Sequence, residues 1–301
     1  MRVWIDTDLG TDVDDALALA YALKHPNLEL VGVSTVFGDV ELRTQMVKEL
    51  LKRADRSDVP VVTGLGKPLT PGRPGVMLGH EGIGLIPDPA PRPRTDETEP
   101  DASERVESLA RSLEDAGADF LAAIGPMTNI GALATAGAAL PPLAIMGGKV
   151  ADVMLEGVVA GIEEWNWFCD PLAVQRTLAA EHSTSPRIVP AEVTMPTALA
   201  DGDVEKLGSG DPLARALSTL CREWLVALRD RLGAENPRVA LHDPLTVATL
   251  VKPELCPFES REISVDSEGR TERVPGGASV EVAVSVANEE LREHLMEVWL
   301  C

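Results

Sequence analysis

The chain has 301 residues with 48 acids against 27 bases, and a formal net charge of −21 argues against nucleic acid or an anionic membrane surface as a partner. Apolar residues make up 45% of the chain, as in globular proteins, yet no stretch approaches the roughly 20 apolar residues of a membrane span. The four cysteines follow no CxxC spacing and no apolar leader opens the sequence, so we expect a cytoplasmic enzyme or binding protein for a small molecule.

Strand and helix patterns alternate through the first two-thirds of the chain. This alternation predicts an α/β fold, with a mostly parallel central sheet and helices on both faces. Ligands of such sheets lie beyond the carboxyl ends of the strands, where this sequence places Asp8, Gly125 and Gly147. The predicted strands are 2–5, 28–36, 59–62, 120–124 and 142–146, and the predicted helices are 16–23, 41–54, 102–116 and 128–136.

A proline-rich segment interrupts this rhythm. Residues 63–101 carry eight prolines between Pro68 and Pro100, which predicts a long loop and a candidate active-site lid around Gly79-His80-Glu81-Gly82. The last third predicts a helical stretch at 212–232, strands near 263–265 and 280–286, and a closing helix at 288–300. We find no repeat and no convincing linker, and therefore expect a single domain over residues 1–301.

The most informative segment is the acidic run Asp6–Asp15, which holds five carboxylates in ten residues between a predicted strand and a predicted helix. Like charges repel one another, but a hard divalent cation reverses the sign of the interaction, and oxygen-only ligands suit Ca²⁺ or Mg²⁺. The alternative is a solvated turn in which Asp12 caps the helix. That alternative explains only one or two of the five acids.

Four more segments join this run in a recognisable order between residues 3 and 250. Together they resemble the inosine-uridine-preferring nucleoside hydrolase family, whose N-terminal signature is D-x-D-x-G-x-D-D. The five segments are DTDLGTDVDD at 6–15, AIGPMTNI at 123–130, MGG at 146–148, EWNWFCDP at 164–171 and LHDP at 241–244.

The resemblance implies Ca²⁺-dependent hydrolysis of the N-glycosidic bond of a ribonucleoside by a metal-bound water, releasing base and ribose. It also implies a nucleoside-hydrolase-like fold and assembly as a homodimer or homotetramer. The implied calcium ligands are Asp8, Asp15, Asp243 and the backbone carbonyl of Ile124. The implied catalytic residues are Asp8, as proton acceptor, and His242, as proton donor. The implied ribose ligands are Asp14, Glu164 and Asn166, with His80 closing over the base.

The residue types suit that chemistry. Departure of a base from ribose builds oxocarbenium character, so a site must stabilise positive charge and direct a nucleophile at the anomeric carbon. Carboxylates and an amide suit sugar hydroxyls, and a histidine can protonate a base that leaves badly as an anion. As alternatives, His242-Asp243-Pro244 is a helix start capped by Asp243, and Glu164 and Asn166 are surface groups on one side of a strand end.

Several positions depart from the family pattern. Two extra residues separate Gly10 from the final acid pair, so either Asp12 or Asp14 could bind the sugar. Val158 lies where an asparagine usually contacts the ribose 5′-hydroxyl, and Met195 lies where histidine is common. The base and the 5′ substituent of the substrate therefore stay open.

Two other functions compete with hydrolysis. The chain could be a catalytically silent Ca²⁺-dependent ribose- or nucleoside-binding protein on the same fold. It could also be a phosphatase that begins with a strand and D-x-D, although that class needs Thr or Val where this chain has Gly10. His242, Glu164 and Asn166 favour the hydrolase, because a structural metal site needs none of them.

Overall fold

A computed structural model describes residues 1–87, 102–153 and 162–301. Nine strands in these ranges form one sheet. The strands are β1 Arg2–Thr7, β2 Glu29–Thr35, β3 Val61–Thr63, β4 Phe120–Ala123, β5 Leu143–Met146, β6 Arg187–Val189, β7 Phe258–Val265, β8 Thr271–Arg273 and β9 Ala278–Ala283. Their order in the sheet is β3-β2-β1-β4-β5-β6-β9-β7-β8.

Helices connect most of these strands. Within the described ranges, no helix combines the length and the apolar character needed to cross a membrane. The helices are α1 Asp14–Lys24, α2 Val40–Arg53, α3 Ala102–Ala116, α4 Thr128–Thr135, α5 Trp165–Cys169, α6 Pro171–Ala179, α7 Ala191–Thr194, α8 Asp203–Gly208, α9 Pro212–Asp230, α10 His242–Ala248 and α11 Asn288–Leu300, with a 3₁₀ turn at Pro253–Leu255.

The sheet is parallel from β3 through to β9, and only β7 and β8 add antiparallel pairs at one edge. Alternate side chains of β1 enter opposite cores: Val3 and Ile5 pack in one apolar cluster with residues of α1 and α2, and Trp4 packs in the other with residues of α3 and α4. The predicted α/β class, with helices on both faces of a mostly parallel sheet, is therefore confirmed.

Some local predictions are wrong. Strand β3 covers Val61–Thr63 rather than 59–62, and β6 and β8 were not predicted, because three residues are too few to show a periodic pattern. Glu164 and Asn166 do not share a strand end: Glu164 is the extended N-cap of α5, and Asn166 lies within that helix. Of the predicted loop at 63–101, residues 64–87 form turns and irregular backbone, and 88–101 lie outside the described residues, as does Val158.

Candidate active site

The acidic run and the His242-Asp243 motif meet at the carboxyl ends of the central strands. Helices α1 and α10 pack against each other, and the backbone N–H of Asp243 donates to Asp14 Oδ2 at 3.3 Å. Carboxylate oxygens of Asp14, Asp15 and Asp243 all lie within 4.8 Å of one another, and all three residues are buried. Acids more than 200 positions apart in the chain thus form one cluster, which we call the acid cluster.

The ionised carboxylates of the acid cluster repel one another. Burial raises the pKa of Asp14, Asp15 and Asp243 well above the ordinary value, and the negative charges of their neighbours raise it further. A hydrogen bond from the Thr7 hydroxyl to Asp15 offsets part of this cost. A hard divalent cation would offset much more, and buried carboxylate oxygens are the ligands that Ca²⁺ and Mg²⁺ prefer. The residues present therefore fit a metal of this class.

Two predicted calcium ligands, Asp8 and the Ile124 carbonyl, are not members of the acid cluster. Asp8 is 5% exposed, and its negative charge contributes to the raised pKa values of Asp15 and Asp243. Its Oδ2 lies 3.9 Å from Arg43 Nη2. The carbonyl oxygen of Ile124 accepts a hydrogen bond from Asn166 Nδ2 at 3.0 Å, which leaves one of its two lone pairs. Their roles as calcium ligands stay predictions.

Glu164 and Asn166 are held at the ends of neighbouring strands by backbone contacts. Glu164 accepts hydrogen bonds from the N–H groups of Gly148, Asn166 and Trp167 at 2.7 to 2.9 Å. Asn166 donates to Ile124 at the end of β4 and, at 3.3 Å, to the carbonyl of Met146 in β5. Both residues are buried, so the reading of them as surface groups is wrong.

His242 begins α10 and faces two acids of the run. Its Nδ1 lies 2.6 Å from the Thr194 hydroxyl, and a ring nitrogen lies within 4.8 Å of carboxylate oxygens of both Asp12 and Asp14. Burial, reinforced by the charge of Arg238, lowers the pKa of His242 to about 4, so the ring is neutral near pH 7. Both acids therefore stay candidates for the sugar-binding role.

The alternative reading of the two motifs is correct that His242-Asp243-Pro244 begins a helix, but wrong about which residues cap the helices. The N-cap residue of α1 is Val13 rather than Asp12, and the N-cap residue of α10 is Leu241. Neither Asp12 nor Asp243 occupies an N-cap position, although Asp12 Oδ1 accepts a hydrogen bond from the Val13 N–H at 2.5 Å beside the start of α1.

His80 lines a pocket next to the acidic run. Its Nε2 contacts the Thr11 carbonyl oxygen at 2.9 Å, and its ring stacks on Trp224 of α9 with centroids 5.5 Å apart. Asp12 and Glu223 line the same pocket. His80 Nδ1 is buried and has no hydrogen-bond partner among the described residues, so it is an unsatisfied acceptor in this conformation.

The sequence did not predict a role in the site for three residues that contact it. Thr194 holds His242, Trp224 stacks on His80, and Arg43 contacts the turn that carries Asp8. Only Arg43 left a signal in the sequence: it lies on the apolar face of α2, in helical register with Val47 and Leu50, where a charged residue is out of place.

Comparisons with known proteins identify the family of the chain. The sequence pattern of the family described as inosine-uridine preferring nucleoside hydrolase matches residues 3–293. The chain is 30% identical to the pyrimidine-specific ribonucleoside hydrolase RihA of Shewanella baltica, covering 91% of this chain and 85% of the relative. It is 29% identical to uridine nucleosidase 1 of Arabidopsis thaliana, covering 89% and 79%.

Solved structures show the same fold. A plant nucleoside hydrolase aligns with a TM-score of 0.81 at 24% identity, covering 100% of this chain and 99% of that one. A purine-preferring ribonucleoside hydrolase from Gardnerella vaginalis aligns with a TM-score of 0.77 at 24% identity, covering 99% and 98%. Because the family pattern spans nearly the whole sequence, the chain belongs to the inosine-uridine preferring nucleoside hydrolase family, whose members are hydrolases of N-glycosyl bonds.

Proposed function

We propose that the chain hydrolyses the N-glycosidic bond of a ribonucleoside and that it needs Ca²⁺ to do so. The observation that supports the proposal is the acid cluster, in which three buried carboxylates have oxygens within 4.8 Å of one another. Burying unpaired negative charges costs free energy, and a bound cation would remove that cost. Asp8, Asp15, Asp243 and the carbonyl of Ile124 are the proposed ligands, and Asp14 lies close enough to Asp15 and Asp243 to support them. When bound, Ca²⁺ supplies a positive charge that orders sugar hydroxyls and lowers the pKa of water.

The proposed roles of the protein's own residues are proton transfer and binding of the ribose. Asp8 accepts the proton of the attacking water. Asp14, Glu164 and Asn166 bind ribose hydroxyls, since each hydroxyl both donates and accepts. His242 is the proposed proton donor to the departing base, a role that only its imidazolium form can fill. Because the ring by itself is neutral, it must first take a proton from a neighbouring acid, and Asp12, whose pKa burial raises to about 7, lies within 4.8 Å of it. The Thr194 contact at Nδ1 orients the ring for this transfer.

We propose that the nucleobase lies beside His80; the pocket there holds only about 20 Å³ in this conformation, so the segment that carries His80 must move to admit a base. The stacked rings of His80 and Trp224 offer an apolar surface, and the Asp12 carboxylate offers a hydrogen-bonding group for a base edge. Relatives are named for pyrimidine, uridine and purine substrates, so the names alone do not fix the base that this pocket takes.

A nucleoside panel tests the proposal. The purified protein is incubated with purine and pyrimidine ribonucleosides, and released reducing sugar is measured with Ca²⁺ and with excess chelator. We expect ribose release that the chelator abolishes, and loss of both turnover and Ca²⁺ binding in Asp8→Ala. Asp115→Ala, an exposed acid of α3, serves as the matched control and should behave as wild type.

Other outcomes would contradict the proposal. Binding of a nucleoside without ribose release would favour a silent binding protein, and phosphate release from a phosphoester would favour a phosphatase. The single-domain organisation, the assembly as a homodimer or homotetramer and the cytoplasmic location stay predictions, for which light scattering and cell fractionation are the direct measurements.

A further inference from the structure

Arg43 of α2 lies fully buried behind the acidic run, with 0% of its surface exposed. All three of its guanidinium nitrogens donate hydrogen bonds. Nε donates to the Phe37 carbonyl at 2.6 Å, and Nη1 donates to the carbonyls of Asp8 and, at 3.1 Å, Leu9. Nη2 donates to the Thr11 hydroxyl at 2.8 Å. The guanidinium therefore spans the turn on both sides of Gly10.

This turn is one of the places where the sequence departs from the signature that it resembles. Two extra residues lie between Gly10 and the acid pair Asp14-Asp15, and ordering each additional residue costs about 1–2 kcal/mol of backbone entropy. Gly10 has a φ of +118°, and a Cβ there would lie 2.8 Å from the Met46 side chain, so the turn packs closely against α2. A longer turn needs additional contacts if it is to hold Asp8 in one position. Arg43, which belongs to the same helix α2, supplies such contacts through its hydrogen bonds to the turn.

Arg43 also acts through its charge. Its positive charge offsets a part of the rise that burial causes in the pKa of Asp8 and a smaller part of the rise in the pKa of Asp15. Charge and anchoring have opposite consequences for a cation site: a nearby guanidinium repels a metal ion, whereas an ordered turn presents Asp8 in one geometry. The two contributions can therefore be separated by substitution.

We propose that Arg43 is a positioning residue that fixes the lengthened acidic turn, and that its forked hydrogen bonds, rather than its charge, are what the site requires. The proposal rests on the proposed function insofar as Asp8 is taken to serve the cation and the attacking water. A flexible Asp8 would leave the chain able to fold but slow to act, since a misplacement of about 1 Å can cost about 100-fold in rate.

Two substitutions of Arg43 and one of its partner test this. Arg43→Lys keeps the positive charge but loses the planar set of guanidinium donors, and Arg43→Gln loses both. Thr11→Val removes only the hydrogen bond from Nη2 to the Thr11 hydroxyl. We measure Ca²⁺ affinity of chelator-treated protein by calorimetry, kcat and KM on the best nucleoside, and amide hydrogen exchange across residues 8–13. Both Arg43 variants should bind Ca²⁺ about 10- to 100-fold more weakly, lose kcat by a similar factor and exchange faster in the turn, with Thr11→Val intermediate.

Thr44→Val is the matched control. It changes the neighbouring position of α2, where the hydroxyl contacts those of Thr35 and Thr63 at 2.9 Å, and it should lower Tm while leaving Ca²⁺ affinity and kcat unchanged. Wild-type Ca²⁺ affinity and kcat in Arg43→Lys would overturn the proposal, as would tighter Ca²⁺ binding by Arg43→Gln. If the Arg43 variants do not fold, unchanged exchange and Ca²⁺ affinity in Thr11→Val overturn it instead. If wild type releases no ribose, the proposed function fails, while calorimetry and hydrogen exchange still decide the role of Arg43.

Discussion

The neighbours of His242 allow its proposed role to be tested by changing the leaving group. Once protonated, the ring held by Thr194 can give a proton to a base nitrogen, whereas a nitrophenyl leaving group departs as an anion without help. His242→Ala should therefore lower kcat/KM on natural nucleosides by about 10²–10⁴ and largely spare nitrophenyl riboside. Steady-state kinetics on both substrates is the measurement.

A second histidine provides the control for that experiment. His182 follows α6 and contacts the Thr177 carbonyl oxygen at 2.8 Å, on a part of the chain that contributes nothing to the acid cluster. His182→Ala should leave both activities unchanged. An equal loss on the two substrates in His242→Ala would remove His242 from the role of proton donor.

Helix caps differ in how much structure they hold together. Asp211 caps α9 through the Ala214 N–H at 2.8 Å and pairs with Lys24 at the surface. Asp170 caps α6 but is wholly buried, and it also accepts hydrogen bonds from Leu69, from Thr70 and from the Thr128 hydroxyl of α4. Asp170 therefore ties the segment after β3 to two helices.

These two caps form a matched pair for a stability prediction. Asp211→Ala removes a cap with a surface ion pair and should lower the free energy of unfolding by about 1 kcal/mol. Asp170→Ala leaves several buried donors without an acceptor and should cost about 3–5 kcal/mol. Denaturant unfolding of the calcium-saturated proteins measures both, and equal costs for the two variants would mean that the added contacts of Asp170 contribute nothing.

Across the whole molecule, the buried acids set how stability depends on pH in the absence of metal. Burial raises the pKa of Asp6 and of Asp12 from 3.8 to about 7, and the acid cluster shifts in the same direction. Between about pH 4 and 7 the folded state therefore binds more protons than the unfolded chain, so its stability falls as pH rises. Among the described residues, four histidines with lowered pKa values act in the opposite direction: His25, His80, His242 and His294. They are outweighed by seven described carboxyls with raised pKa values, which are those of Asp6, Asp8, Asp12, Asp14, Asp15, Glu164 and Asp243.

Thermal unfolding checks this expectation. In excess chelator, Tm should fall steadily from pH 5 to pH 8. Saturating Ca²⁺ should raise Tm most at pH 8, where the carboxylates are ionised in the absence of metal, and so flatten the profile. A metal-free Tm that rises with pH over this range would show that the acids are not strained in the folded protein.

The sequence predicted those features of the fold and the site that depend on residues close to one another along the chain. The strand of residues 2–5, the helix at 212–232 and the closing helix at 288–300 were readable because periodicity repeats over neighbouring positions. The strand end expected at Glu164 was wrong because five residues of α5 show too little periodicity to distinguish a short helix from a strand. The acidic run was found because its charges are adjacent in the chain.

By itself, then, the sequence determined the α/β class, the crevice at the strand ends and the acids that could hold a cation, since spacing and residue type are local properties. Only the tertiary structure decided which of those acids meet, that Asp14 joins Asp15 and Asp243, and that Asp12 and Asp14 both face His242. It also decided that Arg43 anchors the turn of Asp8 from 35 positions away. Such contacts depend on how α1, α2 and α10 pack over the sheet, and packing between distant segments leaves no periodic trace in the chain.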